Sequence, residues 1–338
     1  MLRYAIIGFG GLGKVHMNNM LRLEEEHPGK MKLCAIFGAS KEAFFQNVSL
    51  NFGTVDISKI DLSECGFYED YKELIDKEKP DFVISATPTF MHEEVAVYAL
   101  ERGIHILSEK PMSLTYEGCQ RMMAAAERSN AKLMVGQSAR FTAAAMRMKQ
   151  FVDEGTYGKV RRMEFCRYSQ TPLWTYNNWI LDPEKSGGCV LDMHIHDVDL
   201  LNWLFGLPNS VSSVGTSEKV ELESVITRYN YDNMVVTGSA DWSMPQTFPF
   251  TKQTIINFEK ATVIYTAEKK LMVYTDEESH EEDIGPEDSH FVELKTFIEW
   301  ILNDKDCTYF TSSASVSNSL RIALAEIQSL RTGETVKL

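Results

Sequence analysis

The sequence predicts an α/β chain in two domains, with residues 1–138 built on a parallel sheet and residues 139–338 on a large, mostly antiparallel open sheet. Two observations predict it. Up to about residue 138, short apolar runs alternate with segments of helical spacing, the order that right-handed strand–helix–strand units require. Beyond that point, runs with period-two or β-rich character succeed one another with few helices between them, as strands do when only one face is buried.

In the first part, Tyr4–Ile7, Lys32–Phe37, Phe82–Ala86, Ile104–Leu107 and Lys132–Val135 are the strand-like runs. The helical segments between them are Lys14–Glu26, Tyr71–Lys77, Glu93–Arg102 and Tyr116–Ser129, with Gly103 placed to close the third as a glycine just past a helix end. In the second part, Met146–Glu154 and Cys189–Phe205 read as helices, and Val160–Tyr168, Ser224–Tyr231, Met234–Trp242, Thr254–Phe258, Ala261–Thr266 and Lys270–Tyr274 as strands. Phe291–Leu302 and Val316–Arg331 are late helices, with the helix at 316–331 a candidate to dock back on the first domain. There is no internal repeat and no low-complexity segment.

Bulk properties narrow the function. A chain of 338 residues with net charge −14 repels phosphate backbones and anionic lipid, so neither nucleic acid nor membrane is an expected partner. No apolar stretch approaches bilayer-spanning length. Cys34, Cys65, Cys119, Cys166, Cys189 and Cys307 are scattered without a Cys-x-x-Cys pair, as reduced thiols in a cytoplasmic protein are. Met1–Gly13 has neither the apolar core nor the cleavage site of a signal peptide. The acidic run from Asp276 to Asp288 lacks calcium-loop spacing and reads as a solvated surface.

Three clusters carry chemistry. The first is Gly8-Phe9-Gly10-Gly11-Leu12-Gly13, after a strand and before a helix. Gly8 permits the tight turn, Gly10 lets backbone approach a pyrophosphate, and Gly13 brings helix close to strand, while the helix start offers N–H groups to the anion. This is the expected dinucleotide site of a Rossmann domain. The second strand of such a domain ends in an acid when NAD is preferred; here it runs Ile36-Phe37-Gly38-Ala39-Ser40-Lys41, so Ser40 and Lys41 are candidates to hold the 2′-phosphate of NADP. Equally, both residues can simply start the next helix.

The second cluster is Ala86-Thr87-Pro88-Thr89 with His92, succeeded by Ser108-Glu109-Lys110-Pro111. Both segments come directly after strands, so both lie at the carboxyl edge where α/β sheets bind ligands, and Lys110 is a candidate to stabilise a developing alkoxide. The third is Asp192-Met193-His194-Ile195-His196-Asp197-Val198-Asp199. On a helix Asp192 and His196 share a face, with Asp199 near it, so the carboxylate can orient an imidazole acting as general base. His194 lies about 200° around from His196, which opposes a His-x-His metal site; no metal is expected.

Together these residues resemble the Gfo/Idh/MocA oxidoreductase family. The likeness includes Gly8–Gly13 with His16, Thr87-Pro88 with His92, Glu109-Lys110-Pro111, Gly136 with Arg140-Phe141, and Gly158-Lys159-Val160. It continues through Ser186-Gly187-Gly188, Asp192, His196 and Asp199 to the Gly333–Leu338 tail. The resemblance implies a Rossmann domain binding NAD or NADP through Gly8, Gly10, Gly11, Leu12, Gly13, Thr87, Pro88, His92, Glu109 and Lys110. It also implies an α/β domain whose open sheet builds a homodimer or homotetramer. Lys110, Asp192 and His196 would surround the carbinol of a sugar or polyol, with His196 the proton acceptor. Trp174, Asn178 and Trp179 resemble the variable substrate loop of the family, and a packed lid is the alternative for that loop. The sequence departs from the pattern at Gly38, where an acid is usual, at Thr89, where Asn is common, and at His194, where Gly is common.

Three functions are consistent with these residues. The first is an NAD(P)-dependent dehydrogenase or reductase of sugars or polyols. The second is a relative that uses its bound cofactor for redox-assisted glycoside cleavage, and the third a non-catalytic dinucleotide-sensing protein. Lys110, Asp192 and His196 oppose the third, because a sensor needs no proton relay.

Overall fold

The computed structural model describes residues 1–38, 48–50, 53–55, 62–173, 175–285 and 288–338. Two units emerge: Met1–Gly136 with His290–Ala314, and Gln137–Ser289 with Ser315–Leu338. The first unit thus takes in residues 290–314, and the helix at 316–331 belongs to the second.

The first unit holds β1 (Leu2–Ile7), α1 (Gly11–Glu26), β2 (Met31–Phe37), a small β3–β4 hairpin (Val48–Leu50, Gly53–Val55) and β5 (Gly66–Tyr68). It continues with α2 (Tyr71–Glu78), β6 (Phe82–Ser85), α3 (His92–Leu100), β7 (His105–Glu109), α4 (Tyr116–Ser129) and β8 (Leu133–Gly136). The six-stranded sheet has the order β5-β2-β1-β6-β7-β8, and every pairing is parallel. Strands buried on both faces must be apolar throughout, and β6 and β8 are buried along their whole length. The helices start on side-chain caps: Asp70 accepts from the Lys72 and Glu73 amides, and Thr115 from the Gly118 amide. After β1 the chain builds outward through β2, then reverses to β6, so β1 and β6 flank the switch point where α/β sheets open a ligand crevice. Most of α8 (Ser289–Asn303) belongs to this unit; its Phe297 meets Phe82 edge-on with ring centroids 6.0 Å apart.

The second unit carries α5 (Ala143–Glu154), β9 (Val160–Gln170), α6 (Pro183–Ser186), α7 (Ile195–Phe205), β10 (Ser210–Val214) and β11 (Ser224–Asn230). Next come β12 (Val235–Met244), β13 (Thr251–Phe258), β14 (Thr262–Thr266), β15 (Leu271–Tyr274) and β16 (Ser279–Glu281). After α8 come α9 (Thr308–Thr311) of the first unit, then α10 (Ser313–Thr332) and β17 (Val336–Lys337). The nine-stranded sheet runs β16-β15-β14-β13-β9-β12-β11-β10-β17. All its pairings are antiparallel except β9 with β12. Burial alternates along β12, with Val236, Gly238, Ala240 and Trp242 inward and Val235, Thr237, Ser239 and Asp241 toward the open face. The Cys189–Phe205 segment is not one α-helix: Val190–His194 forms a π-helical turn, and α7 begins directly after it.

Candidate active site

In the first unit, the glycine turn sits at the switch point. Gly8 has φ of +97°, and a Cβ there would lie 2.5 Å from the Ala86 carbonyl oxygen. At Gly13 a Cβ would lie 2.1 Å from the Gly8 carbonyl oxygen, so only glycine lets α1 begin this close to β1. Gly10, by contrast, has nothing within 4 Å of its Cβ position. No side chain caps α1, and no acid lies in its first turn. The turn therefore presents uncapped N–H groups to open space, which fits the pyrophosphate of a dinucleotide. Gly11 and Leu12 are half-buried beside it. Ser40 and Lys41 lie outside the described residues.

The loops after β6 and β7 are tied together by His92. This buried ring places Nδ1 2.7 Å from the Pro111 carbonyl oxygen and Nε2 2.9 Å from that of Thr87. Burial pushes its pKa below the usual histidine range, against the pull of the two carbonyls. Thr87 is buried, with Oγ1 3.3 Å from Ser85 Oγ, and Pro88 is half-exposed.

Glu109 turns inward. Its Oε1 lies 2.7 Å from His16 Nε2 on α1, its Oε2 accepts from the Lys110 amide at 3.2 Å, and Gly136 leaves room for the carboxylate. Burial alone would raise the Glu109 pKa; the hydrogen bond and charge of His16, with His290 and Lys110, outweigh it and hold the carboxyl below its ordinary range. Lys110, the next residue, is half-exposed at the strand end. A carboxyl held low stabilises the fold above its unfolded pKa, and that contribution is lost as pH falls through the folded value. Glu109→Gln is thus expected to lower stability by about 1.5–3 kcal/mol at neutral pH. Urea titrations should show the gap closing once the native carboxyl is protonated; a gap unchanged by acid would overturn the assignment.

In the second unit, the segment from Ser186 to Leu204 is buried at every residue except Asp192 and His196, which are half-exposed. Its entry is fixed by Gly187 and Gly188, at φ +75° and +64°, where added Cβ atoms would strike Leu191 and Leu222. The Cys189 amide donates to the Leu222 carbonyl at 3.0 Å, and Ser186 Oγ donates to the Ile180 carbonyl at 2.7 Å. The polar neighbours of the exposed pair are all drawn inward. Asp197 accepts two bonds from Arg167 of β9, at 2.8 and 2.9 Å. Asp199 accepts two from Arg140, both at 2.6 Å. His194 is fully buried, with Nε2 3.0 Å from Tyr229 Oη. Burial works against the Arg167 charge, and Asp197 more than restores it, so its pKa rises.

Asp192 and His196 are thus the two half-exposed side chains of this segment, and His194 between them is fully buried. Asp199, expected near the exposed face, faces Arg140 in the core instead. Asn178 is exposed and Trp179 half-exposed on a short 3-10 segment, Tyr176–Leu181, in which Asn177 and Asn178 adopt left-handed backbone at φ 52° and 49°. Trp174 lies outside the described residues. Sequence reasoning passed over Arg167, Tyr229 and Glu326 as site neighbours. Glu326 did leave a signal, being an acid on the apolar stripe of Ile322, Ala323 and Ile327. Among the described residues no group of three or more His, Cys, Asp or Glu side chains could hold a metal, and no helix is long and apolar enough to cross a membrane.

A family model described as an oxidoreductase family with an NAD-binding Rossmann fold matches residues 2–137, and the GFO/IDH/MocA C-terminal domain matches 145–264. The chain is 29% identical to 2,7-anhydro-N-acetylneuraminate hydratase of Mediterraneibacter gnavus, over 45% of its own length and 41% of that protein's. It is 24% identical to scyllo-inositol 2-dehydrogenase (NAD(+)) of Bacillus subtilis, over 100% of its own length and 96% of the relative's. The chain therefore spans only about two fifths of the first of these curated relatives and nearly all of the second. A solved levoglucosan dehydrogenase, in complex with NADH and levoglucosan, has the same fold, with a TM-score of 0.82, 19% identity and 99% of each chain covered. With both units matched, the chain is an NAD(P)-binding oxidoreductase of the GFO/IDH/MocA family.

Proposed function

We propose that this protein is a dehydrogenase or reductase that interconverts a secondary carbinol and a carbonyl on a sugar, cyclitol or related polyol. One observation carries the reading: an otherwise buried segment leaves only Asp192 and His196 toward solvent, a carboxylate and an imidazole one turn apart. Such a pair serves a reaction that moves one proton. Oxidising a carbinol removes a hydride from carbon and a proton from oxygen, and NAD or NADP, when bound, supplies the hydride acceptor. His196 takes the hydroxyl proton, Asp192 orients the imidazole, and the Lys110 ammonium stabilises the alkoxide as the proton leaves. In the reductive direction His196 returns the proton. The glycine turn, the Thr87-Pro88 segment and the loop after β7 hold the dinucleotide. Asn178 and Trp179, with Trp174, offer amides and aromatic faces suited to a polyhydroxylated ring.

Lys110→Met is expected to lower kcat by about 10²–10³, because it removes a charge directed at the transition state. The governing experiment is a panel of polyols and aldoses with NAD and with NADP, monitored at the nicotinamide absorbance. Silence across the panel, with both dinucleotides bound, would overturn the dehydrogenase reading. NADP is proposed to bind at least as well as NAD, since Gly38 succeeds β2 where an acid would repel a 2′-phosphate; titrating both cofactors decides it. We place the protein in the cytoplasm as a homodimer or homotetramer joined through the open face of the nine-stranded sheet, and light scattering reads the mass.

One finding favours a second reading, in which the cofactor is recycled within each turnover. The 29% identical relative is named a hydratase. Substrate conversion without change in nicotinamide absorbance would select it.

A further inference from the structure

Beneath the exposed pair lies a buried polar chain that the proposed reaction does not use. His194 closes the π turn, and its Nε2 lies 3.0 Å from Tyr229 Oη on β11. Tyr229 Oη lies 2.5 Å from Glu326 Oε1 on α10, and the three side chains are at most 1% exposed. A phenol that donates to the carboxylate can only accept from the imidazole, so the hydrogen bonds run from His194 N–H to Tyr229 to Glu326, and His194 Nε2 also lies 3.4 Å from Glu326 Oε1. Phe165 of β9 lies against both rings, its centroid 5.6 Å from each, and Gly238 of β12 leaves the space that Phe165 fills. His194 Nδ1 and Glu326 Oε2 have no hydrogen-bond partner among the described residues.

Such a trio is a poor way to gain stability, because apolar side chains of similar volume fill a core at least as well. What it supplies is direction. A π turn holds one more residue than an α turn and persists only where contacts hold it. Were the extra residue to anneal into α7, every residue before it would rotate by about 100° relative to the rest of the helix. Asp192 lies within the π turn and His196 just beyond it, so that rotation would change the angle between their side chains.

We propose that His194, Tyr229 and Glu326 are positioning residues that lock the π turn and so fix the angle between Asp192 and His196. The proposal rests on the catalytic reading of that pair. It assigns a role to an imidazole that stands where the family resemblance expects glycine.

Three variants of the full-length protein test it: Tyr229→Phe, which removes only the hydroxyl, Glu326→Gln, which keeps an oxygen to accept from Tyr229, and His196→Ala as reference. Backbone amide exchange is read by segment, and kcat, KM and dinucleotide affinity are measured beside it. Tyr229→Phe should speed exchange in residues 190–196 about tenfold relative to the β12 amides. It should lower kcat about tenfold, toward the 10²-fold that a displaced catalytic group costs, with dinucleotide affinity unchanged. Glu326→Gln should behave as the native protein in both respects. Unchanged exchange at 190–196, or an equal rise throughout the unit, would overturn the lock. So would a local rise with native kcat while His196→Ala is inactive. Native turnover in His196→Ala would instead overturn the catalytic reading itself, a result distinguishable from the other three.

Discussion

Replacing His196 with alanine is expected to lower kcat by about 10²–10⁴ while dinucleotide affinity stays nearly unchanged. The magnitude is that of a positioned general base. The selectivity comes from the architecture, because the glycine turn belongs to the first unit and His196 to the second. His194 provides the internal comparison: two positions away, it is turned fully into the core against Tyr229. Its truncation should cost clearly less, since it acts on the pair through the backbone. Steady-state kinetics of both alanine variants, beside a dinucleotide titration, decide the matter. If His194→Ala abolished turnover and His196→Ala did not, the proton acceptor would be misassigned.

Much of this arrangement was legible in the residues because it depends on local period and local backbone. The parallel sheet follows from strands alternating with helices. The dinucleotide turn follows from glycines whose missing Cβ atoms have specific steric reasons. The two half-exposed positions of the buried segment, Asp192 and His196, stand four apart in the sequence. Features that depend on distant partners left no local trace. Nothing near His194 foretells that its ring will meet Tyr229 and, through it, Glu326 on the last long helix. The π turn is likewise invisible, because its neighbours in space hold it open. His16 and Glu109 meet across 93 positions. The same limit explains the late helices. Both have apolar faces, and only tertiary contact decides that 290–314 joins the first unit and 315–338 the second.

The largest stability effect is expected at Asp199. Its carboxylate accepts two bonds from Arg140 and a third from Ser319 Oγ at 2.7 Å, and neither Arg140 nor Asp199 is exposed. Arg140 also donates to Ser315 Oγ at 3.1 Å, and Asn202 donates to the Ser315 carbonyl and Ser319 Oγ. The pair thus joins the 3-10 turn at Ser138–Phe141, α7 and α10. Truncating one member of a buried ion pair leaves the other charge desolvated without compensation, which costs about 3–5 kcal/mol. Asp199→Ala should therefore lower the stability of the second unit by that amount, read as a shift in urea midpoint at constant slope. Removing both charges with similar volumes, as in Arg140→Met with Asp199→Leu, leaves no stranded ion and should recover most of the loss. The double-mutant cycle then gives a coupling of several kcal/mol, well above the roughly 0.5 kcal/mol scatter of independent sites. A double variant no more stable than Asp199→Ala alone would mean that the network acts through shape and hydrogen bonds to the serines, and that the pairing of charge contributes little.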